Sequence, residues 1–426
     1  MADALAVRGT DARVKIKQML GQGDAQMADG AQPALEAFRT EARTWLEENF
    51  PASLRRNEDL QEAYMGGEKP AGDALLWKQR MGAKGWGAPT WPKQYGGGGL
   101  TPAEARVLAE EMAHIGAPNP IVGMGTSMFG PTLLEYGTED QKQRHIPPIV
   151  RGELRWCQGY SEPGAGSDLA SLTTKCEDAG DHWVINGQKI WTSGAQYADW
   201  CFCLVRTDPS KKHEGISFVL IDMRQPGVET RPIKLIAGHS PFCETFFTNA
   251  RAEKNDMVGP LNGGWTVGKR LLQHERSGQG GGRMMGAGRS LEELATAYGL
   301  RDESGDFADE DLRTRVVQNK MDSKAHMLTI QRAHNDAKGN VNPSATTSIM
   351  KNSGTRIGQE KAELSIETMG VQGLGWEGEP FTEEERQIVR AWLSGKATTI
   401  FGGSQEIQNN IISKRILGLP DSTRSA

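Results

Sequence analysis

The chain has 426 residues, of which 37% are hydrophobic and 24% charged, and a formal net charge of −5 at pH 7. That length exceeds what one hydrophobic core organises, so two or three domains are expected, and a mildly acidic balance without a basic patch argues against nucleic-acid binding. No apolar run approaches the roughly 20 residues that cross a bilayer, so no membrane span is expected. The five cysteines (Cys157, Cys176, Cys201, Cys203, Cys243) show no paired metal-ligand spacing, which points to free thiols and a reducing compartment. The N-terminus lacks the continuous apolar stretch of a secretory signal, and a cytoplasmic location is expected.

Residues 1–32 are polar, rich in Gly and Ala and weakly periodic, the composition of a flexible tail. From Ala34 to Phe50 apolar residues fall at helical spacing (Leu35, Phe38, Ala42, Trp45, Leu46), and the same period covers Asp73 to Met81, Pro102 to His114 and Ile121 to Leu134. Trp91 to Gly99 is turn chemistry between two of these helices. Residues 33–154 therefore read as an N-terminal helical domain.

The texture changes near Arg155. Short alternating or β-branched runs follow at Trp183 to Ile190, Trp200 to Arg206, Ile216 to Met223, Val228 to Ile236 and Thr245 to Asn249, separated by Gly, Asp, Asn and Pro. Residues 155–264 read as a small antiparallel β domain. Helical spacing returns at Trp265 to Glu275, Leu291 to Tyr298, Leu312 to Asp336, Thr346 to Thr368, Glu383 to Thr398 and Gln405 to Leu417, giving a C-terminal helical domain over residues 265–426. The predicted fold class is α+β, mainly α.

Three segments stand apart: Ser161 to Asp168, Gln188 to Gly194 and Phe401 to Ile407. In the first, Pro163, Gly164 and Gly166 make a tight backbone whose N–H groups can meet an acceptor, and Ser161 and Ser167 add hydroxyls; a plain turn at a domain junction is the competing reading. In the second, strand alternation puts Trp191 and Ser193 on one face, an aromatic plane beside a hydroxyl. A flavin ring, apolar on its faces and hydrogen-bonding along its edge, would suit both. Other motifs carry less. Gly373 to Gly378 satisfies G-x-G-x-x-G but follows a helix and runs into Glu379 and Pro380, so it reads as a loop. Cys201 and Cys203 would face one side of a strand as buried thiols. The eight His residues are scattered, and nothing supports a metal site.

The three segments, in this order, resemble the signature blocks of the acyl-CoA dehydrogenase family, as do Pro131 to Thr138, Ile185 to Gly187 and Gln408 to Ile412, over roughly residues 35 to 420. The resemblance implies an FAD enzyme of fatty acid β-oxidation type that converts an acyl-CoA thioester to the trans-2-enoyl thioester and passes electrons to an electron-transferring flavoprotein. It also implies a homodimer or homotetramer, with a heteromer as the alternative. By position, Gln158, Tyr160 and Ser161 would line one edge of the flavin, Trp191 and Ser193 would sit at its ring, and Gly166, Ser404 and Glu406 would also contact the cofactor. Ser167 would lie near the CoA moiety, with Leu272, Arg276 and Phe401 at the substrate.

The reaction needs a carboxylate to remove the proton α to the thioester carbonyl, while the β-hydrogen leaves as hydride to flavin N5. Many family members carry that base where this chain has Gly402. Isovaleryl-CoA dehydrogenase and its relatives carry it instead in a Leu-x-x-Glu-Arg context just after the β domain, which Leu272 to Arg276 resembles. Leu271, Leu272 and Glu275 also share a helix face, and a carboxylate continuing an apolar stripe is partly desolvated, which raises its pKa; a solvated Glu beside an exposed Arg is the bland reading. Gly278, Gly280, Gly281 and Gly282 follow, where the helix ends or something packs closely. Glu275 is thus the expected base, and the Gly402 N–H is expected to polarise the carbonyl, as its counterpart does in the family. The Arg-x-x-Phe-Gly-like segment that many members use across a subunit interface is replaced by the acidic Leu300 to Phe307. An acyl-CoA oxidase, a related flavin monooxygenase and a non-catalytic subunit of a heteromeric dehydrogenase are the alternatives.

Overall fold

A computed structural model describes residues 33–55, 60, 64, 69–279, 289–305, 307–337 and 343–420. The tail expected over residues 1–32 lies outside the described residues. By internal contacts the chain forms two compact units, Met1–Thr126 with Glu139–Leu154, and Ser127–Thr138 with Arg155–Ala426.

The first unit holds α1 (residues 33–49), α2 (Gly72–Lys84), α3 (Pro102–His114) and α5 (Glu139–Val150), while α4 (Gly130–Tyr136) belongs to the second. A capping box starts α3: the Thr101 hydroxyl accepts from the Glu104 N–H at 3.2 Å, and the Thr101 N–H donates to the Glu104 carboxylate at 2.7 Å. Leu46 of α1, Trp77 and Met81 of α2 and Leu108 of α3 are buried together, with Trp45 and Trp86 in edge contact at 4.8 Å. Inside this core Glu111 is buried against Arg39 at 2.7 Å and Arg43 at 2.8 Å. The run expected as a turn around Gly97 is a close approach, since a Cβ there would lie 2.4 Å from the Trp91 carbonyl oxygen.

Two helices differ from the sequence reading. The helix expected from Ile121 starts later: Gly123 has φ 113°, a π-helical turn covers Gly125–Phe129, and α4 follows with Pro131 in its first turn. The helix α5 has no counterpart among the expected elements, and Pro147 and Pro148 lie in its last turn.

In the second unit seven strands form one sheet: β1 (Trp156–Gly159), β2 (Lys175–Asp178), β3 (His182–Ser193), β4 (Trp200–Arg206), β5 (Ile216–Asp222), β6 (Val228–Ile233) and β7 (Phe242–Glu253). The order is β1-β4-β2-β3-β7-β6, with β5 also on β4. The pairs β2/β3, β3/β7, β4/β5 and β6/β7 are antiparallel as expected, while β1 and β2 run parallel to β4. Residues Cys201 to Val205 and Ile216 to Ile221 are continuously buried, which is why these runs are apolar rather than alternating. The run expected over Val228 to Ile236 ends at Ile233, and Thr245 to Asn249 is the middle of the longer β7.

After the sheet come α6 (Gly264–Gln279), α7 (Leu291–Tyr298), α8 (Glu310–Ala337), α9 (Pro343–Met369), α10 (Glu383–Gly395) and α11 (Gln405–Ile411). The helices α8 and α9 pack antiparallel through Arg315 on Glu367 at 2.7 Å, the Asn319 amide on the Ile357 carbonyl at 3.0 Å, and Ser353 on His326 at 2.9 Å. Gly370–Leu374 continues α9 as a tight turn, so the G-x-G-x-x-G segment is a loop with no strand before it.

Candidate active site

Three groups of residues in the second unit carry the sequence-predicted site. The first joins β1 to β3. Beyond β1, the chain closes a turn in which the Glu162 and Ala165 N–H groups each donate to the other's carbonyl at 3.0 Å. The Ile190 N–H donates to the Ser161 carbonyl at 2.9 Å, tying the turn to β3. Beneath it Lys189, with no exposed surface, donates to Glu162 at 2.8 Å and to the Tyr160 carbonyl at 3.1 Å. Glu162 also accepts from the Thr173 N–H at 2.7 Å, its hydroxyl at 2.8 Å and the Thr174 N–H at 2.9 Å. Burial pulls the Glu162 pKa up, but the Lys189 ammonium and the threonine donors outweigh it and hold it at about 2. A charge pair this buried is tolerated because its hydrogen bonds are filled, and it sets the register of Tyr160 and Ser161 against β3. Sequence reasoning missed both partners; a lysine at an inward position of an alternating strand was the available signal.

At the end of β3 the pairing with β7 slips between Lys189 and Thr192, and Trp191 adopts φ 60° with 53% of its surface exposed. The extra residue of this bulge, rather than the simple alternation expected, turns Trp191 and Ser193 away from the buried Thr192. A bulky residue at positive φ is strained, and such strain gathers at functional sites. The indole meets Phe242 edge-on at 6.1 Å. Close by in the sheet, the Gln158 amide nitrogen and the Thr192 hydroxyl are buried without a hydrogen-bond partner among the described residues. The Thr192 hydroxyl lies on the opposite side of the strand from Trp191, so the exposed indole, the neighbouring Ser193 and the unfilled Gln158 amide are the groups that suit a flat ring with a hydrogen-bonding edge, such as a flavin. Gly166 and Ser167 are exposed, and a Cβ on Gly166 would meet nothing within 4 Å, so no close backbone approach fixes glycine there.

The second group is on α6. Leu271 is fully buried and Leu272 half-buried. Arg270 donates twice to Glu135 of α4, both at 2.7 Å, and His274 lies 3.3 Å from the same carboxylate. Arg270 holds the Glu135 carboxyl below the usual carboxylate range, and burial, with Arg270, lowers the pKa of His274. The backbones of Glu275 and Arg276 continue this helix; their side chains, and residues 280–288 with the glycines expected to matter there, lie outside the described residues.

The third group is the turn before α11. Gly402 and Gly403 take φ 66° and 89°, a backbone region that glycine enters without the steric cost a side chain would carry. The Gln408 amide donates to the Gly402 carbonyl at 3.0 Å and the Lys351 ammonium to that of Gly403 at 2.6 Å. Ser404 caps α11 by accepting from the Ile407 N–H at 3.4 Å, and its hydroxyl holds the exposed Glu406 below the usual carboxylate range. Phe401 is exposed.

Three family models match the chain in order: Acyl-CoA dehydrogenase, N-terminal domain over residues 32–153, middle domain over 157–250 and C-terminal domain over 262–417. The chain belongs to the acyl-CoA dehydrogenase family: it is an oxidoreductase acting on CH–CH bonds, and its cofactor is FAD. It is 37% identical over 404 residues to Acyl-CoA dehydrogenase IpdE1 of Mycolicibacterium smegmatis, covering 91% of this chain and 98% of that one. The IpdE1 of Mycobacterium tuberculosis is 36% identical over 392 residues, with the same coverage. Among solved structures, the Tcur3481-Tcur3483 steroid ACAD matches with a TM-score of 0.72 at 31% identity, over 92% of this chain and 98% of that chain. The ChsE4-ChsE5 complex from M. tuberculosis matches with a TM-score of 0.70 at 29% identity and the same coverage. No helix among the described residues is long and apolar enough to cross a membrane.

Proposed function

We propose that the protein oxidises an acyl-CoA thioester to its trans-2-enoyl thioester, with Glu275 as the base for the α-proton and the Gly402 N–H polarising the carbonyl. The observation that carries this reading is the anchoring of α6: the helix runs unbroken through Glu275, with Leu271 in the core one turn earlier and Arg270 and His274 on Glu135. Position 275 follows the fully buried Leu271 by one helical turn and so shares its helix face; a base acting from that face would gain proton affinity from partial desolvation. The Gly402 N–H would stabilise the charge that builds on the carbonyl oxygen as the α-proton leaves. FAD, when bound, supplies the two-electron acceptor for the β-hydride. Gln158, Tyr160, Ser161, Trp191 and Ser193 would hold its ring system, with Gly166, Ser404 and Glu406 as further contacts. Ser167, Leu272, Arg276 and Phe401 would border the acyl-CoA.

The likeness to a steroid ACAD favours a steroid-derived acyl group, and the likeness to two complexes of differently named chains favours a heteromeric assembly over a homodimer or homotetramer. The free, buried state of all five cysteines supports the cytoplasm as the compartment. An electron-transferring flavoprotein is the acceptor in this reading.

The test is anaerobic titration of the FAD-loaded protein with straight-chain, branched, aromatic and steroid-derived acyl-CoAs. A substrate should bleach the flavin, and Glu275→Gln should keep FAD but bleach at least about a hundredfold more slowly. Undiminished bleaching by that variant removes Glu275 from the mechanism. Peroxide formed in air without a flavoprotein partner identifies an oxidase instead, and a colourless chain that gains flavin only beside a second chain identifies a subunit of a heteromer.

A further inference from the structure

We infer that Lys189 is a positioning residue for the flavin, holding the peptide between Tyr160 and Ser161 from the core side so that the Ser161 N–H stands outward as a donor for the ring's polar edge. The inference rests on the place proposed for Ser161 beside the flavin. Among the described residues the Ser161 N–H meets no acceptor, although the carbonyls on both sides of it are engaged. A donor held in one direction before its ligand arrives binds that ligand without the cost of being ordered on contact.

The direction follows from peptide geometry. The Tyr160 carbonyl and the Ser161 N–H belong to one trans peptide, in which the two groups point opposite ways. The Lys189 ammonium donates to that carbonyl at 3.1 Å and has no exposed surface, so the carbonyl faces the core and the Ser161 N–H faces away from it. The next peptide is held as well, because the Ser161 carbonyl accepts from the Ile190 N–H at 2.9 Å. Both peptide planes that meet at the Ser161 Cα are therefore gripped, by two consecutive residues of β3. The third in that row is Trp191, the exposed indole at the bulge. One short stretch of strand thus sets the Ser161 donor and the aromatic plane relative to each other, as a ring with a flat face and a polar edge requires.

A fully buried ammonium is costly to desolvate, and apolar residues of its size would fill the same volume without that penalty. The chain keeps it by placing Glu162 at 2.8 Å and meeting that carboxylate with the Thr173 and Thr174 donors. What an apolar residue could not supply is the bond to Tyr160. A charged donor on a carbonyl also polarises the whole peptide, which strengthens the N–H at its other end. A hydride entering the flavin leaves negative charge on the ring, so such a donor favours the reduced form over the oxidised one.

The test compares Glu162→Gln with the double variant Glu162→Gln/Lys189→Met. Whatever the loss of the carboxylate does to the threonine donors is common to both, so their difference reports Lys189. FAD is titrated into each apoprotein, the reduction potential of the bound flavin is measured, and amide hydrogen exchange over residues 158–166 of the native protein is followed with and without FAD. The double variant is expected to bind FAD about tenfold more weakly than Glu162→Gln. Its bound flavin should have a potential about 30 mV lower, which is a tenfold smaller preference for the reduced form in a two-electron couple. In the native protein FAD should slow exchange over residues 158–166. If the double variant does not fold, Glu162→Gln/Lys189→Gln, with a shorter uncharged side chain, is measured in its place with losses in the same direction expected. Equal FAD affinity and equal potential in the two compared variants overturn the role of Lys189. Exchange that FAD leaves unchanged in the native protein overturns the place of Ser161 itself, whatever the lysine does.

Discussion

Trp191 shows how a single residue can be read correctly for one reason and placed for another. Alternation along β3 gave it the same face as Ser193, yet the structure reaches that arrangement through a bulge and a left-handed backbone. A left-handed non-glycine residue costs about 1–2 kcal/mol, and burial does not compensate, because half the indole is exposed. The cofactor contact proposed for Trp191 would account for a tryptophan at that position. Trp191→Gly should therefore leave the melting temperature of the FAD-free protein within a few degrees of native, the relieved strain offsetting the lost contact with Phe242, worth about 0.5–1.5 kcal/mol. FAD affinity should fall about tenfold or more, as expected for loss of a large aromatic contact at a binding centre. Titration of FAD into the two apoproteins checks this, and equal affinities would remove Trp191 from the cofactor site. Lys189 and Glu162 teach the opposite lesson: both stood in plain view inside the singled-out segments, but their pairing links positions 27 residues apart and no local pattern joins them.

Among the elements, α6 has the most to lose from a small displacement. The ion pair that holds it to α4 is about 40% exposed on both sides, so it adds little stability, about 0.5 kcal/mol. Its two parallel hydrogen bonds nevertheless fix the rotation of the helix that carries Glu275. Glu135→Gln is expected to change unfolding free energy by less than about 1 kcal/mol while lowering kcat about tenfold. Denaturant titration and steady-state kinetics on the same preparation decide it, and an unchanged kcat would show that α6 is positioned without Glu135. Elements were legible where periodicity is long, as in α3, α8, α9 and the apolar runs of β4 and β5. They were not legible where the signal is short or disguised. The four residues of β2 are mostly charged and exposed, β1 is only four residues long, and Pro147 and Pro148 hide the end of α5.

For the whole molecule, the change of texture near Arg155 and again after Gly264 made the helical, β, helical order readable, and residue chemistry set apart the segments from which the flavin site is proposed. Strand order could not be read, because the parallel pairing of β1 and β2 with β4 joins distant segments. Each compact unit contains a buried carboxylate held far below its ordinary value, Glu111 in the first and Glu162 in the second, each at about 2 against 4.5. In Glu111 the Arg43 hydrogen bonds lower the pKa most, against burial. A carboxylate depressed in the folded state stabilises it fully above the unfolded value and loses that contribution as pH falls toward the folded one. Stability should therefore be level above about pH 5 and fall steeply between pH 4.5 and 2. Glu111→Gln should remove about 1–3 kcal/mol at pH 7 and flatten the acid fall. Urea unfolding at pH 7 and pH 3 measures both, and an equally steep acid fall in the variant would assign it to other groups.

The burial of the cysteines has a practical side. All five are free and enclosed, and burial pushes the Cys176 thiol up to about 12 and raises those of Cys201, Cys203 and Cys243. Since the thiolate is the reacting form, the native chain is a silent background for maleimide chemistry at neutral pH. A cysteine introduced in place of an exposed residue such as Lys324 on α8 would accept a dye or spin label alone, with no native cysteine removed.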